Sequence, residues 1–286
     1  PVIILTGSHD VRTVVEAMHK GAHDYLTKPF NIDELTVTLE RAFEYRDLRN
    51  SDAIMRRTKQ FASSDDSVVG MSPAWTETLA RAREFAKSDL LVFLSGETGS
   101  GKEVLANYIH RHSLRKEHPF VVVDCGSIPD SLVESELFGH ERGAYTGAES
   151  SKEGLVELAH GGTLFLDEIG HIDPKFQQKI LKFVETKTFR RVGDTKVRSV
   201  DVRIIAATNK SLPKEIEAGR FRSDLWYRLN VMKLEIPPLR QRTEDIPHLI
   251  EHICRKFTHN GNRTTITPAA LQVLQSYAWP GNVREL

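Results

Sequence analysis

The sequence predicts an α/β fold in which a parallel sheet is flanked by helices and followed by a smaller helical region. Three apolar, β-rich runs, "LLVFLS", "GGTLFLD" and "RIIAAT", occur at residues 90–95, 161–167 and 203–208. Each has the length of one strand, and the stretches between them show helical periodicity. Unbroken apolar runs of this length are typical of parallel strands that helices cover on both faces.

The composition is that of an ordinary globular protein. Of the 286 residues 40% are hydrophobic, and 39 basic residues balance 39 acidic ones, which argues against an overall attraction to nucleic acid or to an anionic membrane. Cys125 and Cys254 lack metal-ligand spacing, which favours a reducing compartment. No apolar run reaches membrane-spanning length, so we expect a cytoplasmic protein. We expect "HRH", at 110–112, to be a solvated helix end rather than a metal site.

The first forty residues predict the order strand, helix, strand, helix. "VIILTG" and "HDYLT" read as short strands, and apolar residues between Val11 and Met18 recur at helical spacing. "NIDE" supplies an Asn cap with Glu three residues later. A charged, helical stretch over 41–65 predicts a linker helix, and "ASSDDS" marks a boundary near residue 65.

A glycine-rich turn follows the first apolar run of the sheet and precedes a helical pattern. Its sequence, "GETGSGK", matches the phosphate-loop pattern GxxxxGK, in which backbone N–H groups face phosphates and the lysine reaches the terminal ones. Glu103 follows, where the general pattern has Ser or Thr on magnesium. The candidate nucleotide-binding residues are therefore Gly96, Glu97, Thr98, Gly99, Ser100, Gly101, Lys102 and Glu103.

Two adjacent carboxylates end the second apolar run. Asp167 is the candidate magnesium ligand, and Glu168 is the candidate base that orients or deprotonates water. Asn209 follows the third run, where it would sense the terminal phosphate or position the attacking water.

Two arginines follow in "GRFRSDLWYRLNV". On one helix Arg222 and Arg228 would point about 120° apart, so they could not serve one site identically. Either they pair with surface acids such as Asp224, or they reach the nucleotide of a neighbouring subunit, where an arginine finger contributes about 10³- to 10⁵-fold in rate. Near the end, Arg284 in "WPGNVREL" lies where a helical lid could fold back onto nucleotide.

These residues, together with "GHERGAYTGAES", resemble the AAA+ ATPases of the bacterial enhancer-binding class, the NtrC-type activators of sigma-54 RNA polymerase. In this family Glu commonly follows the phosphate-loop lysine. "GAYTGA" resembles the GAFTGA loop, with Tyr in place of Phe. The resemblance implies that this loop contacts the sigma factor through Gly143, Ala144, Tyr145, Thr146, Gly147 and Ala148.

The opening segment resembles the C-terminal half of a response-regulator receiver domain. Thr6, Tyr25 and Lys28 match that family's switch hydroxyl, switch aromatic and lysine. The phosphoacceptor Asp and the acidic metal-binding pair of a receiver precede this point, so we expect no phosphorylation site within residues 1–40.

The resemblance implies Mg²⁺-dependent ATP hydrolysis that remodels the closed complex of sigma-54 RNA polymerase holoenzyme. It further implies a dimer at rest, a hexameric ring when active, and a sensor histidine kinase for the full-length protein. We expect a receiver part over 1–40, a linker helix over 41–65, an ATPase core over 66–236 and an incomplete helical lid over 237–286. The family's DNA-binding module lies beyond the lid, so we expect no sequence-specific DNA binding by these residues. A general AAA+ unfoldase or loader with another client, and a non-catalytic scaffold, are the alternatives.

One position departs from the family pattern. At the last position of "PFVVVD" the family usually has an Asn that forms a hydrogen bond with the catalytic Glu, whereas this chain has Asp124. Two ionised carboxylates about 4 Å apart repel by about 4 kcal/mol at an effective dielectric near 20. Our hypothesis is that Asp124 is either protonated beside Glu168 or turned away from it, which would make ATP turnover pH-sensitive or its coupling looser.

Overall fold

The computed structural model describes residues 3–6, 22, 24–39, 68–145, 148–257 and 266–286. The chain divides into two compact units, Pro1–Gln60 and Phe61–Leu286. No helix in the described part of the chain is long and apolar enough to cross a bilayer.

The first unit contains two parallel strands and a helix. Strand β1 (Ile3–Thr6) pairs with β2 (Asp24–Thr27), and the N–H of Lys28 continues the ladder to the Thr6 carbonyl at 2.7 Å. Helix α1 spans 32–39, and Asn31 Oδ1 accepts the N–H of Glu34 at 2.6 Å, as the cap motif predicts. The helix expected between Val11 and Met18, and the linker helix expected over 41–65, lie outside the described residues.

The second unit is α/β. Its described strands are β3 (Val92–Ser95), β4 (Phe120–Asp124), β5 (Gly139–His140), β6 (Lys152–Glu153), β7 (Thr163–Asp167), β8 (Thr188–Phe189), β9 (Arg198–Ser199), β10 (Arg203–Thr208) and β11 (Met232–Glu235). Its described α-helices are α2 (Pro73–Ala86), α3 (Lys102–Arg111), α4 (Asp130–Phe138), α5 (Leu155–Leu158), α6 (Pro174–Thr186), α7 (Leu212–Glu217), α8 (Ser223–Leu229), α9 (Ile246–Phe257), α10 (Pro268–Ser276) and α11 (Asn282–Glu285).

Five of the described strands form one parallel sheet in the order β11-β3-β10-β7-β4. The interior of β10 is buried on both faces, which is why its sequence is uniformly apolar. The carboxyl ends of all five strands meet at one edge, where ligands bind in open α/β sheets. Strand β11, at the edge of the sheet next to β3, was not predicted. Two of its four residues are an exposed Lys and an exposed Glu, so no continuous apolar run marks it.

Two antiparallel hairpins form separate two-stranded sheets. The first pairs β5 with β6 and encloses the "GAYTGA" segment, and the second pairs β8 with β9. Glu141 joins them, since its Oε1 lies 3.1 Å from the Arg191 guanidinium and 3.2 Å from that of Arg198. A backbone bridge between His140 and Val192 adds a second link.

The expectation that "HRH" is a solvated helix end is wrong for His110. Helix α3 turns this ring inward, so that Nδ1 lies 2.9 Å from Thr163 Oγ1 and the ring packs against Phe120 at 5.1 Å. Burial is the main cause that lowers the pKa of His110 to about 4.

The last described part of the chain is a helical lid with its own small core, formed by Leu239, Ile246, Leu249 and Trp279. The lid is joined to the segment that begins α2 through Asp245. Its carboxylate accepts the N–H of Met71 at 2.6 Å, the N–H of Ser72 at 2.7 Å and the Ser72 hydroxyl at 2.8 Å. These bonds also set the beginning of α2, because Ser72 is its N-cap.

Candidate active site

The phosphate-loop sequence forms the turn between β3 and α3. Gly99 and Gly101 have φ values of 76° and 105°, which favour glycine. Among the described residues, no side chain caps the start of α3, so its first N–H groups are available to an anion. The Ser100 hydroxyl is buried without a hydrogen-bond partner in the described part of the chain. These features fit a bound phosphate group.

Lys102 is the first residue of α3, and its side chain is buried. Its Nζ lies 3.2 Å from Glu168 Oε1 and donates to the carbonyls of Gly96 at 3.3 Å and Glu97 at 3.5 Å. The lysine therefore bridges the phosphate loop and the end of β7. Glu103 lies in the first turn of the same helix.

Asp167 and Glu168 follow each other at the carboxyl end of β7. The Glu168 N–H donates to Asp167 Oδ1 at 2.9 Å. Burial raises the pKa of Asp167, and the positive charge of Lys102 opposes that rise. A buried carboxylate beside the phosphate loop is the donor that Mg²⁺ prefers, so this side chain fits the predicted metal ligand.

Glu168 is held in an unusual backbone conformation. Its φ of 52° lies in the left-handed region, which costs a non-glycine residue about 1–3 kcal/mol and is found mainly at functional sites. Its Oε2 accepts the N–H of Asn209 at 3.1 Å and lies 3.7 Å from Nδ1 of His171. Sequence reasoning did not single out His171. The only hint in the sequence was that His171 lies three residues after Glu168, in the short turn that follows β7.

Asn209 connects the end of β10 to the phosphate loop. Its Nδ2 donates to the hydroxyl of Thr98 at 2.8 Å, while its own N–H contacts Glu168. Asn209 therefore lies between Thr98 of the phosphate loop and Glu168. Its role as a sensor stays a prediction.

Asp124 ends β4 directly beside Asp167, with which it is in register. Its Oδ1 accepts the N–H of Gly126 at 3.0 Å. The carboxylate of Glu168 has different partners, Lys102 and the Asn209 N–H. The hypothesis of pH-sensitive coupling between the two carboxylates stays a prediction.

The lid closes directly onto the phosphate loop. The Val283 N–H donates to the Gly99 carbonyl at 3.1 Å, and Asn282 Nδ2 donates to the Thr98 carbonyl at 3.1 Å. Asn282 Oδ1 in turn accepts the Leu239 N–H at 2.7 Å. Arg284, the residue expected near nucleotide, follows in α11, and its Cβ lies 2.9 Å from where a Cβ on Gly99 would stand.

Two further arginines of the lid hold the loop. Arg240 makes two hydrogen bonds to the Glu97 carboxylate, at 2.7 and 2.6 Å, and Arg242 donates to the Ser100 carbonyl at 2.7 Å. Hydrogen bonds from Arg240 and, to a smaller extent, from Asn282 lower the pKa of Glu97 to about 2. None of these lid partners was predicted, because each is separated from the loop by more than a hundred residues.

The two candidate finger arginines lie at the two ends of α8. Arg222 is the N-cap of α8 in extended conformation, so the helical angle of about 120° between it and Arg228 does not apply, and that expectation is wrong. The Arg222 guanidinium makes two hydrogen bonds to Asp224, at 3.0 and 2.6 Å. Arg228 is exposed in α8.

The "GAYTGA" segment is closed at its base. The Gly143 N–H donates to the Ala148 carbonyl at 2.7 Å. Between them Tyr145 turns back, with its hydroxyl 3.3 Å from Ser135 Oγ and its ring edge-on to His140 at 5.1 Å. Ala144 packs against Gly193 of the second hairpin. Thr146 and Gly147 lie outside the described residues.

Comparison with known proteins agrees with this geometry. Residues 68–235 match the sigma-54 interaction domain, and residues 240–286 match the AAA+ ATPase lid domain. The chain belongs to the sigma-54 interaction domain family. The family resemblance inferred from the sequence is thereby confirmed, and so is the AAA+ fold with its parallel sheet and helical lid.

Relatives of this family align with the whole chain. The transcriptional regulatory protein ZraR of Escherichia coli K12 is 46% identical over 288 residues, and the regulatory protein AtoC of the same strain is 42% identical. The crystal structure of NtrX from Brucella abortus in complex with ADP is 36% identical, with a TM-score of 0.72. All of this chain is covered in each case, but it spans only 64%, 62% and 63% of the length of the three proteins.

Proposed function

We propose that the chain is the ATP-hydrolysing part of a transcriptional activator that remodels the closed complex of sigma-54 RNA polymerase. The observation that carries this proposal is the convergence of Lys102, Asp167, Glu168 and Asn209 at one edge of the sheet, in a unit that also contains the "GAYTGA" loop. A general AAA+ remodelling ATPase with another client is the alternative, because the same four residues would serve it equally well.

In this function each group of the site has a distinct chemical task. The uncapped start of α3 and Lys102 bind the phosphates of ATP, Glu168 orients and deprotonates water, and Asn209 reports the terminal phosphate. Bound Mg²⁺, held by Asp167, would neutralise charge on the transferred phosphoryl group. Support for the nucleotide comes from NtrX, which has been crystallised in complex with ADP and with ATP.

Hydrolysis is proposed to require a ring, hexameric in the active state. Arg222 and Arg228 are exposed on α8, so they are available to the nucleotide of a neighbouring subunit. The Asp224 pair would hold Arg222 until that neighbour binds. A protein that hydrolyses ATP at full rate as a lone subunit at high dilution would contradict this part of the proposal.

The "GAYTGA" loop is the proposed contact with the sigma factor. Its closed base, together with the contacts of Tyr145 and Ala144, fits a retracted loop, and these contacts of the described residues would break when the loop extends. Residues 1–40 are proposed to be the end of a receiver domain addressed by a sensor kinase, and residues 41–65 a helix that supports a resting dimer. The proposed core and lid are 66–236 and 237–286.

The first test is ATP turnover by the whole chain with Mg²⁺ present. We expect Glu168→Gln to bind ATP but to lose turnover by at least about 100-fold, the usual contribution of a general base. Glu84→Gln, an exposed carboxylate on α2, is the matched control and should hydrolyse ATP normally. Equal turnover by the two variants would exclude Glu168 from catalysis.

The second test separates the client from the chemistry. Binding to purified sigma-54 is measured with a γ-phosphate transition-state mimic, for the wild type and for Thr146→Ala. We expect the variant to keep its ATPase activity and to lose sigma-54 binding. Equal binding by both proteins would favour the alternative client.

A further inference from the structure

A groove in the second unit lies between α4, α6 and the hairpin of β8 and β9, and none of the predicted site residues lines it. Its volume is about 490 Å³, within the range of about 300–1,000 Å³ that is usual for binding clefts. The buried rings of Phe138 and Phe189 form its floor and stack at a centroid distance of 5.8 Å. Val197 is exposed at its mouth. The groove is therefore open to solvent above an apolar, aromatic floor.

Positive charge without a partner lies at the mouth of this groove. Of the six charged side chains that line it, four form ion pairs with neighbouring side chains: Glu134, Lys179, Arg191 and Asp194. The remaining two, Lys182 and Arg190, are exposed, and neither forms an ion pair with another described residue. A ligand that carries both carboxylates and an apolar group is complementary to these two cations and to the floor beneath them.

The groove is continuous with the base of the "GAYTGA" segment. Phe138 ends α4 and is followed directly by β5, the strand that leads into that segment. Gly193, between β8 and β9, also lines the groove, and a Cβ at this position would stand 2.8 Å from Ala144 Cβ. A partner that contacts the loop is therefore close enough to reach the groove as well.

We propose that the groove binds an acidic segment of the sigma factor, with an apolar side chain on the floor and carboxylates beside Lys182 and Arg190. This inference rests on the proposed sigma-54 contact of the loop, because it gives the same partner a second point of attachment. The floor favours a peptide over nucleic acid, since phosphates would contact the two cations and leave the aromatic rings uncovered. Two linked contacts bind more tightly than either contact alone.

The first experiment measures binding of the whole chain to purified sigma-54, at low salt and with the γ-phosphate transition-state mimic. It compares the wild type with Lys182→Glu/Arg190→Glu, in which the mouth of the groove becomes negative. The matched control, Arg83→Glu/Lys116→Glu, reverses two exposed cations outside the groove and changes the net charge equally. ATP turnover and Tm are measured for every variant, so that a loss of assembly or of folding is recognised.

We expect the groove variant to bind sigma-54 about tenfold more weakly than the wild type, because like charges then meet at the contact. The control should stay within about twofold, and the difference between the two should shrink as salt screens the charges. Both variants should hydrolyse ATP normally, since neither changes a residue of the proposed nucleotide site. Equal affinities of the groove variant and the control would overturn the inference.

The second experiment identifies what lies in the groove. The photo-cross-linking residue p-benzoylphenylalanine replaces Val197 at the mouth or, as the control position, the exposed Val273 of α10 in the lid. Both proteins are irradiated in the complex with sigma-54 and promoter DNA. A cross-link from position 197, and not from position 273, to a sigma-54 segment rich in Asp and Glu would support the inference. A cross-link to DNA, to a second copy of this chain or to a segment without acidic residues would contradict it, as would no cross-link.

Failure of this inference is distinguishable from failure of the proposed function. If the groove variant binds as tightly as the wild type while Thr146→Ala loses binding, the groove has no part in recognition and the proposed function stands. If the wild-type chain hydrolyses ATP but does not bind sigma-54, the proposed contact of the loop is wrong, and the role of the groove is wrong with it.

Discussion

Gly99 is the point where the lid meets the phosphate loop, and alanine at this position tests whether that contact stabilises the unit. The φ of 76° belongs to the left-handed region, where alanine costs about 1–2 kcal/mol. A Cβ would also stand 2.2 Å from the Gly281 carbonyl oxygen, a backbone atom that can yield only if the lid moves.

That movement breaks the contacts that hold the lid in place. The Val283 N–H bond to Gly99 and the Asn282 bond to the Thr98 carbonyl, both 3.1 Å, would be lost at about 1 kcal/mol each. Added to the backbone cost, the expected loss is about 3–4 kcal/mol, or a decrease in Tm of about 10 °C for a domain of this size.

Gly219→Ala provides the matched control. Its φ of 70° is close to that of Gly99, but no atom lies within 4 Å of the added Cβ, so only the backbone cost applies. Thermal and urea unfolding of both variants without nucleotide, together with hydrogen exchange of the Val283 amide, give the comparison. We expect Gly219→Ala to lose about 4 °C and to keep Val283 protected. Equal Tm values and equal protection in the two variants would refute the reasoning.

Further predictions concern the buried histidine, the lid and the loop. The folded-state pKa of His110 is about 4, so the unfolded chain binds more protons below pH 6.5, and His110 should lower the free energy of unfolding by up to about 3 kcal/mol between pH 6.5 and 4. Urea unfolding of the wild type and of His110→Asn checks this, and the decrease should be smaller by about that amount in the variant. Asn282→Ala leaves the buried Leu239 N–H without its acceptor, so urea unfolding should show a loss of about 2 kcal/mol, and an unchanged midpoint would contradict the described contact. Tyr145→Phe removes the hydroxyl contact to Ser135 but keeps the ring against His140; sigma-54 binding should stay within about twofold of wild type, whereas a tenfold loss would show that the hydroxyl itself contacts the partner.

Local patterns predicted the sheet and its ligand edge. The apolar runs before Gly96, Asp167 and Asn209 became β3, β7 and β10, because a strand buried on both faces leaves a continuous apolar signal and ends at the ligand edge. The roles of the individual site residues stay predictions.

Contacts between distant segments could not be predicted in this way. Asn282 and Arg240 reach Glu97 only because the lid folds over the phosphate loop. No local pattern in the sequence indicates which of these distant residues contact each other. His110 was misread because the charged neighbours in "HRH" conceal which side of α3 faces the sheet. Arg222 was misread because the start of α8 depends on one residue with extended backbone.

The bonds of Asp245 to Met71 and Ser72 couple the beginning of α2 to the position of the lid. Both residues lie within the second unit, where Ser72 caps α2, and three hydrogen bonds join them to the Asp245 carboxylate. A lid that rotates must therefore carry the beginning of α2 with it or break these three bonds. Because Met71 is 72% exposed, a fluorescent label at that position would follow the motion of the lid without touching the nucleotide-binding loop.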